Sequence, residues 1–169
     1  MKKIGLFYSF QTTRTAEIAE KISIGIGEDI IDKIDVMETD FGAFENYNLL
    51  IFGIPTWFDG ELPGYWDELL PGMESLKWKD RKIALFGLGD QRQYPANFGD
   101  AVGIMAEFLE QFQAEISGYT SVEGYTFLKS EAQRDDKFTG LLLDEDNQQG
   151  LTDQRVKDWV VQLKDEWKL

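Results

Sequence analysis

The chain has 169 residues, 43% of them apolar and 14% aromatic, which is enough for a substantial core and excludes an intrinsically disordered acidic chain. Its 31 acidic and 17 basic residues give a net charge of -14, which argues against nucleic acid and anionic membrane as partners and favours basic proteins. Cysteine and histidine are both absent, so disulfides, thiol redox catalysis, thiolate-bound iron–sulfur clusters and imidazole triads or zinc sites are ruled out, and any redox work falls to an organic cofactor.

The start, Met1-Lys2-Lys3-Ile4-Gly5-Leu6, lacks the hydrophobic core of a secretion signal. No run reaches the roughly 20 apolar residues that span a bilayer, so a cytoplasmic protein without membrane insertion is expected. The apolar run Ile4 to Tyr8 predicts a first strand, and the stripe Ile18, Ala19, Ile22 and Ile26 predicts a helix after it. Between them stands Ser9-Phe10-Gln11-Thr12-Thr13-Arg14-Thr15. A strand that enters a helix through a hydroxyl-rich loop is a ready anion site, because the first helical amides lack intrahelical acceptors and the dipole is positive there. In so acidic a chain, a phosphate bound here has to be held by local geometry. The same loop can also be an ordinary helix cap.

Further strands are expected at Ile30 to Val36, Leu49 to Ile54 and Ile83 to Leu88, with a last strand split between Glu115 to Ser117 and Leu141 to Leu143. Several are continuous apolar runs, as in strands covered on both faces. A short helix starts near Pro63, a second carries Ala101, Met105, Phe108 and Phe112, and the last, after Thr152 as N-cap, carries Val156, Trp159, Val160, Leu163 and Trp167. Trp66 and Trp159 read as core packing. No linker or repeat interrupts the alternation, so a single domain over 1–169 with a parallel sheet sandwiched by helices is expected. Ligands in such sheets sit beyond the carboxyl ends of the strands. The loops there are Ser9 to Thr15, Pro55-Thr56-Trp57-Phe58-Asp59-Gly60-Glu61 and Gly89-Asp90-Gln91-Arg92-Gln93-Tyr94-Pro95-Ala96-Asn97-Phe98. Each of the last two presents an aromatic in a polar turn, which suggests a flat ligand held between rings.

Pro55-Thr56-Trp57 with Gly60-Glu61-Leu62, Gly89-Asp90-Gln91 with Tyr94 and Asn97-Phe98, and Leu143-Asp144-Glu145-Asp146-Asn147 resemble the motifs of flavodoxins, nearly end to end. The stretch from about Tyr119 to Phe138 interrupts the last strand as the insertion of the long-chain, cyanobacterial kind does. The resemblance implies a three-layer α/β/α sandwich whose five parallel strands run 2-1-3-4-5, a topology of which flavodoxins are the standing example. It also implies non-covalent flavin mononucleotide (FMN), stacked by Trp57 and Tyr94, with Asp90, Asn97 and Asp146 around the pyrimidine edge and ribityl chain. The phosphate falls to Ser9 through Thr15, where Phe10 replaces a usual hydroxyl and Thr13 a usual glycine. The turn Trp57-Phe58-Asp59-Gly60 is expected to move its Phe58 carbonyl with the redox state, in a type II-like form that needs positive φ at Asp59. The implied function is a monomeric low-potential one-electron carrier, not an enzyme. Its implied partners are ferredoxin–NADP reductase and photosystem I, where it replaces ferredoxin under iron limitation.

Three alternatives share the fold. A small FMN-dependent quinone reductase needs a substrate platform over the flavin. A phosphoacceptor receiver needs an acidic pair where this chain has Ser9, Phe10 and Gln11. The third is a flavodoxin-like interaction module whose altered loop has lost the cofactor.

Overall fold

A computed structural model describes residues 3–169; Met1 and Lys2, at the head of the segment read for a secretion signal, lie outside it. The chain runs β1 (Ile4–Tyr8), α1 (Thr13–Ile26), β2 (Ile31–Asp35), β3 (Leu49–Gly53), α2 (Gly64–Asp67), α3 (Leu70–Met73), β4 (Lys82–Leu88), α4 (Asp100–Gln111) and β5 (Glu115–Ser117). It continues through β6 (Thr120–Ser121), β7 (Gln133–Arg134), β8 (Lys137–Phe138), β9 (Leu141–Leu143) and α5 (Thr152–Trp167), with 3-10 turns at Phe41–Asn46 and Gln149–Leu151.

The main sheet has the expected order β2-β1-β3-β4-β5, every pair parallel. The last position is filled twice: β5 pairs the first half of β4 from Lys82↔Glu115, and β9 pairs the second half from Phe86↔Leu141. The interruption between them carries a small antiparallel sheet, β6-β8-β7, which the sequence pattern did not suggest.

Both faces of the sheet are covered, which is why its strands read as unbroken apolar runs. Alternate side chains go to opposite faces: Ile4, Leu6 and Ile51 join the stripes of α1 and α5, whereas Phe7, Leu50 and Phe52 join α4 and the aromatic cluster of Phe44, Trp66 and Trp78. Trp66 and Trp159 are fully buried core residues, and their indole N–H groups donate to the Gly53 and Gly118 carbonyls at 3.2 and 2.8 Å. Two expectations change in detail. Pro63 precedes two one-turn helices rather than one, and Thr152 is not a cap: it stands inside α5 at φ -59° and ψ -51°, its buried hydroxyl unpartnered, because the 3-10 turn delivers the chain already helical.

Candidate functional site

Beyond the carboxyl ends of β1, β3, β4 and β9, where the chain turns to opposite sides of β1, lies a cavity of about 660 Å3. That size and place suit a small-molecule site. Four loops build it.

The loop after β1 contributes Thr12, Arg14 and Thr15. Ser9 is buried, its carbonyl accepting from the Thr12 hydroxyl at 2.7 Å and its own hydroxyl accepting from the Gln11 amide at 3.2 Å and donating to the Met37 sulfur at 3.0 Å. The Thr12 hydroxyl therefore turns back, away from the helix it would otherwise cap, and the first turn of α1 carries no acidic residue. The opening amides of α1 are left for an outside acceptor. Thr13 is the first residue of α1 and does not have positive φ, so a side chain in place of glycine fits this backbone. Ser9, Phe10, Gln11 and Thr13 do not line the cavity. The Phe10 ring is half-exposed against Tyr8, with centroids 4.9 Å apart, and its amide donates to the Asp35 carboxylate at 3.2 Å.

The loop after β3 brings Pro55, Thr56, Trp57 and Phe58. The Thr56 hydroxyl accepts from the Ala101 amide at 3.2 Å and thereby caps α4 from another loop. Trp57 and Glu61 form a backbone bridge that closes the turn, with the Glu61 amide 2.7 Å and the Gly60 amide 3.2 Å from the Trp57 carbonyl. Positive φ falls on Phe58 (47°) and Gly60 (99°), not on Asp59. The expected backbone conformation is thus shifted by one residue: closure by the Trp57–Glu61 pair puts the left-handed residues at both ends of the three-residue loop. Gly60 is packed against Asp100 and Asn97, so a Cβ there would meet both carboxylate and amide as well as strained backbone. Asp59 and Gly60 lie outside the cavity wall.

The loop after β4 supplies Leu88, Gly89, Asp90, Tyr94 and Asn97. Trp57 and Tyr94 are 39% and 43% exposed, two rings left open on one cavity. Trp57 is set at a right angle to Tyr65, with centroids 5.6 Å apart. Burial would raise the Asp90 carboxyl, but hydrogen bonds from the Gln93 amide at 2.9 Å, the Asn147 side chain at 2.8 Å and the Arg92 amide at 3.1 Å prevail and hold it below the ordinary carboxylate range. The Asn97 side chain donates to the buried Asp100 at 3.0 Å, which also accepts the Glu131 amide at 2.8 Å.

The loop after β9 closes the site with Glu145 and Asp146. Asp144 is fully buried and ties this loop to the previous one, accepting from the Gln91 amide at 3.2 Å and the Asn147 amide at 3.0 Å. Asp146 pairs with Arg14 at 2.9 Å, joining the first and last loops of the site at an exposed rim. Asp146 raises the Arg14 guanidinium still further, through that hydrogen bond and its charge.

The cavity wall thus brings together the opening amides of α1, the Thr15 side chain, the Arg14 guanidinium and two open aromatic rings. A family model described as Flavodoxin matches residues 6–159. The chain belongs to the flavodoxin family. It is 45% identical over 168 residues to a flavodoxin of Nostoc sp., covering 99% of each chain, and 44% identical over 170 residues to one of Synechococcus elongatus, covering both completely. Among solved structures it resembles a Fusobacterium nucleatum flavodoxin bound to flavin mononucleotide, with a TM-score of 0.91, 30% identity and coverage of 98% of this chain and 99% of that one. The split last strand makes it a long-chain flavodoxin.

Sequence reasoning quoted Pro55, Asp144 and Glu145 in motifs but left them out of the candidate cofactor contacts, as it did Leu88 on the cavity wall and the support Asp100 behind it. Asp100 and Asp144 have one common signal, a carboxylate next to a strand end or helix start, which is too common in sequences to single them out.

Proposed function

We propose that the cavity holds FMN non-covalently and that the protein is a low-potential one-electron carrier, working between basic-surfaced redox proteins such as ferredoxin–NADP reductase and photosystem I in place of ferredoxin. The observation that carries this reading is the meeting, on the wall of one cavity, of an uncapped helix start with Arg14 and the open rings of Trp57 and Tyr94. When bound, the flavin supplies the one-electron chemistry, as in flavodoxins generally. The amides at the start of α1, with Thr15 and Arg14, would hold the phosphate, and Thr12, its hydroxyl donated to the Ser9 carbonyl, would border it. Trp57 and Tyr94 would cover the ring, and Thr56, Phe58, Gly89 and Asn97 would border its polar edge. The donor set therefore fits the group, although Ser9, Phe10 and Gln11 serve it only by shaping the loop and Thr13 only through its backbone amide.

Asp90, Glu145 and Asp146 place negative charge on the wall, which disfavours adding an electron and supports a low potential. The net charge of -14 opposes self-association and suits a monomer that meets basic partners in the cytoplasm. The described residues include no helix long and apolar enough to cross a membrane. The test is the visible spectrum of the protein as isolated, followed by identification of the released chromophore and an assay for reduction by a ferredoxin–NADP reductase. A flavin spectrum, FMN on release and rapid one-electron turnover are expected. A colourless protein that does not take up FMN points to the interaction module. Steady-state NAD(P)H oxidation with quinone, by an oligomer without a partner protein, points to the reductase.

A further inference from the structure

A second cavity of about 490 Å3 lies in the groove between α1 and α5, remote in kind from the first. Its floor is made by Val156 and Val160, and its edges by Ile24 and Val161, each 62% exposed. Gly25 keeps the floor open: a Cβ there would stand 3.2 Å from the Val160 side chain. Two strongly exposed aliphatic side chains on neighbouring helices do no packing work for the fold. Together with the floor they make a contiguous apolar trough.

The rim has the opposite sign to the rest of the molecule. In a chain of net charge -14 the groove is bordered by Lys21, Lys157 and Lys164 and by a single acidic residue, Asp153. Lys21 crosses the groove to pair with Asp153. The ammonium groups of Lys157 and Lys164 have no ion-pair or hydrogen-bond partner among the described residues. Two free ammonium groups thus flank an apolar trough of small-molecule size, with their aliphatic stems extending its apolar surface. An ammonium is a compact point charge, matched to a single carboxylate rather than to a planar bidentate pair. Anionic membrane and a second copy of the chain are both opposed by the overall charge.

We propose that this groove binds a small amphiphilic organic anion, an unbranched aliphatic carboxylate of medium length, with its tail over Val160 between Ile24 and Val161 and its head between Lys157 and Lys164. The site shares no lining residue with the cofactor cavity, so occupying it should leave Trp57 and Tyr94 unaffected.

The experiment is a titration of monomeric decanoate into the protein as isolated, followed by backbone amide shifts. Saturable shifts confined to α1 and α5 around Ile24, Gly25 and Lys157 to Lys164 are expected. Lys157→Gln with Lys164→Gln should weaken binding about tenfold, a few-fold for each exposed charge. Ile24→Asn, at a position exposed enough to leave the unfolding midpoint unchanged, should weaken it as well. An amphiphilic cation with the same tail should bind far more weakly. Equal binding of the cation, undiminished binding by the double lysine variant, shifts centred on the cofactor cavity, or no saturation would each overturn the proposal.

Discussion

Phe58→Gly and Asp59→Gly should move stability in opposite directions, although the two residues are adjacent, exposed and in one turn. Phe58 has φ 47°, the left-handed region, where an L-residue with a Cβ is destabilised by about 1–2 kcal/mol. Its ring is 74% exposed, with only an edge contact to Trp57 at 6.3 Å between centroids, so truncation forfeits little packing. Glycine relieves the strain and adds back about 0.5–1 kcal/mol of unfolded-chain entropy. The net effect runs from neutral to about 1.5 kcal/mol of stabilisation. Asp59 has no positive φ and its side chain makes no hydrogen bond among the described residues, so glycine there brings only the entropic term and destabilises by about 0.5–1 kcal/mol. The two variants should therefore differ by at least about 1 kcal/mol, or roughly 2–4 °C in midpoint for a chain of this size, in thermal or urea unfolding of the flavin-stripped protein, where Phe58 has no flavin to border. If Asp59→Gly is as stable as Phe58→Gly or more so, the left-handed residue is at Asp59 and the turn has the form the sequence suggested.

Arg14→Gln should leave stability within about 1 kcal/mol, because its pair with Asp146 is half-exposed, yet weaken FMN roughly tenfold by titration. Asp146→Asn should tighten FMN, since it frees the guanidinium, and high salt should erase both effects. The Asp90 carboxyl, held below its ordinary value, stabilises the fold above the unfolded-state pKa, and that contribution is lost as pH falls through the lowered folded value. Acid titrations of unfolding should therefore show a shallower acid limb in Asp90→Asn, and an unchanged limb would contradict the bonding described. Rising ionic strength should raise the lower one-electron potential of the bound flavin: one charge about 10 Å away at an effective dielectric of about 20 contributes roughly 1.7 kcal/mol, or about 70 mV, before screening. A potential insensitive to salt would refute the electrostatic origin.

The sheet was legible because its strands are buried on both faces and so appear as apolar runs, with ends within a residue of Ile4–Tyr8, Leu49–Gly53 and Leu141–Leu143. The open rings Trp57 and Tyr94 were legible for the opposite reason, as large aromatics in loops that have no core to enter. What escaped depends on contacts far apart in sequence. The Phe10 amide goes to Asp35, the Thr56 hydroxyl caps α4 at Ala101, and Arg14 meets Asp146, and none of these pairings leaves a periodic trace. The small sheet β6-β8-β7 escaped because two-residue strands have no pattern to read. Its aromatic support, Phe98 stacked on Phe127 with Tyr125 edge-on to Phe138, exists only after folding.

The most direct test of the cofactor reading is a fluorescence titration of the flavin-stripped protein with FMN and with riboflavin. If the α1 amides and Arg14 hold the phosphate, each charge-assisted hydrogen bond contributes about 1.5–3 kcal/mol, so FMN should bind at least about a hundredfold more tightly than riboflavin. Equal affinity for the two flavins, or binding of neither, would contradict it.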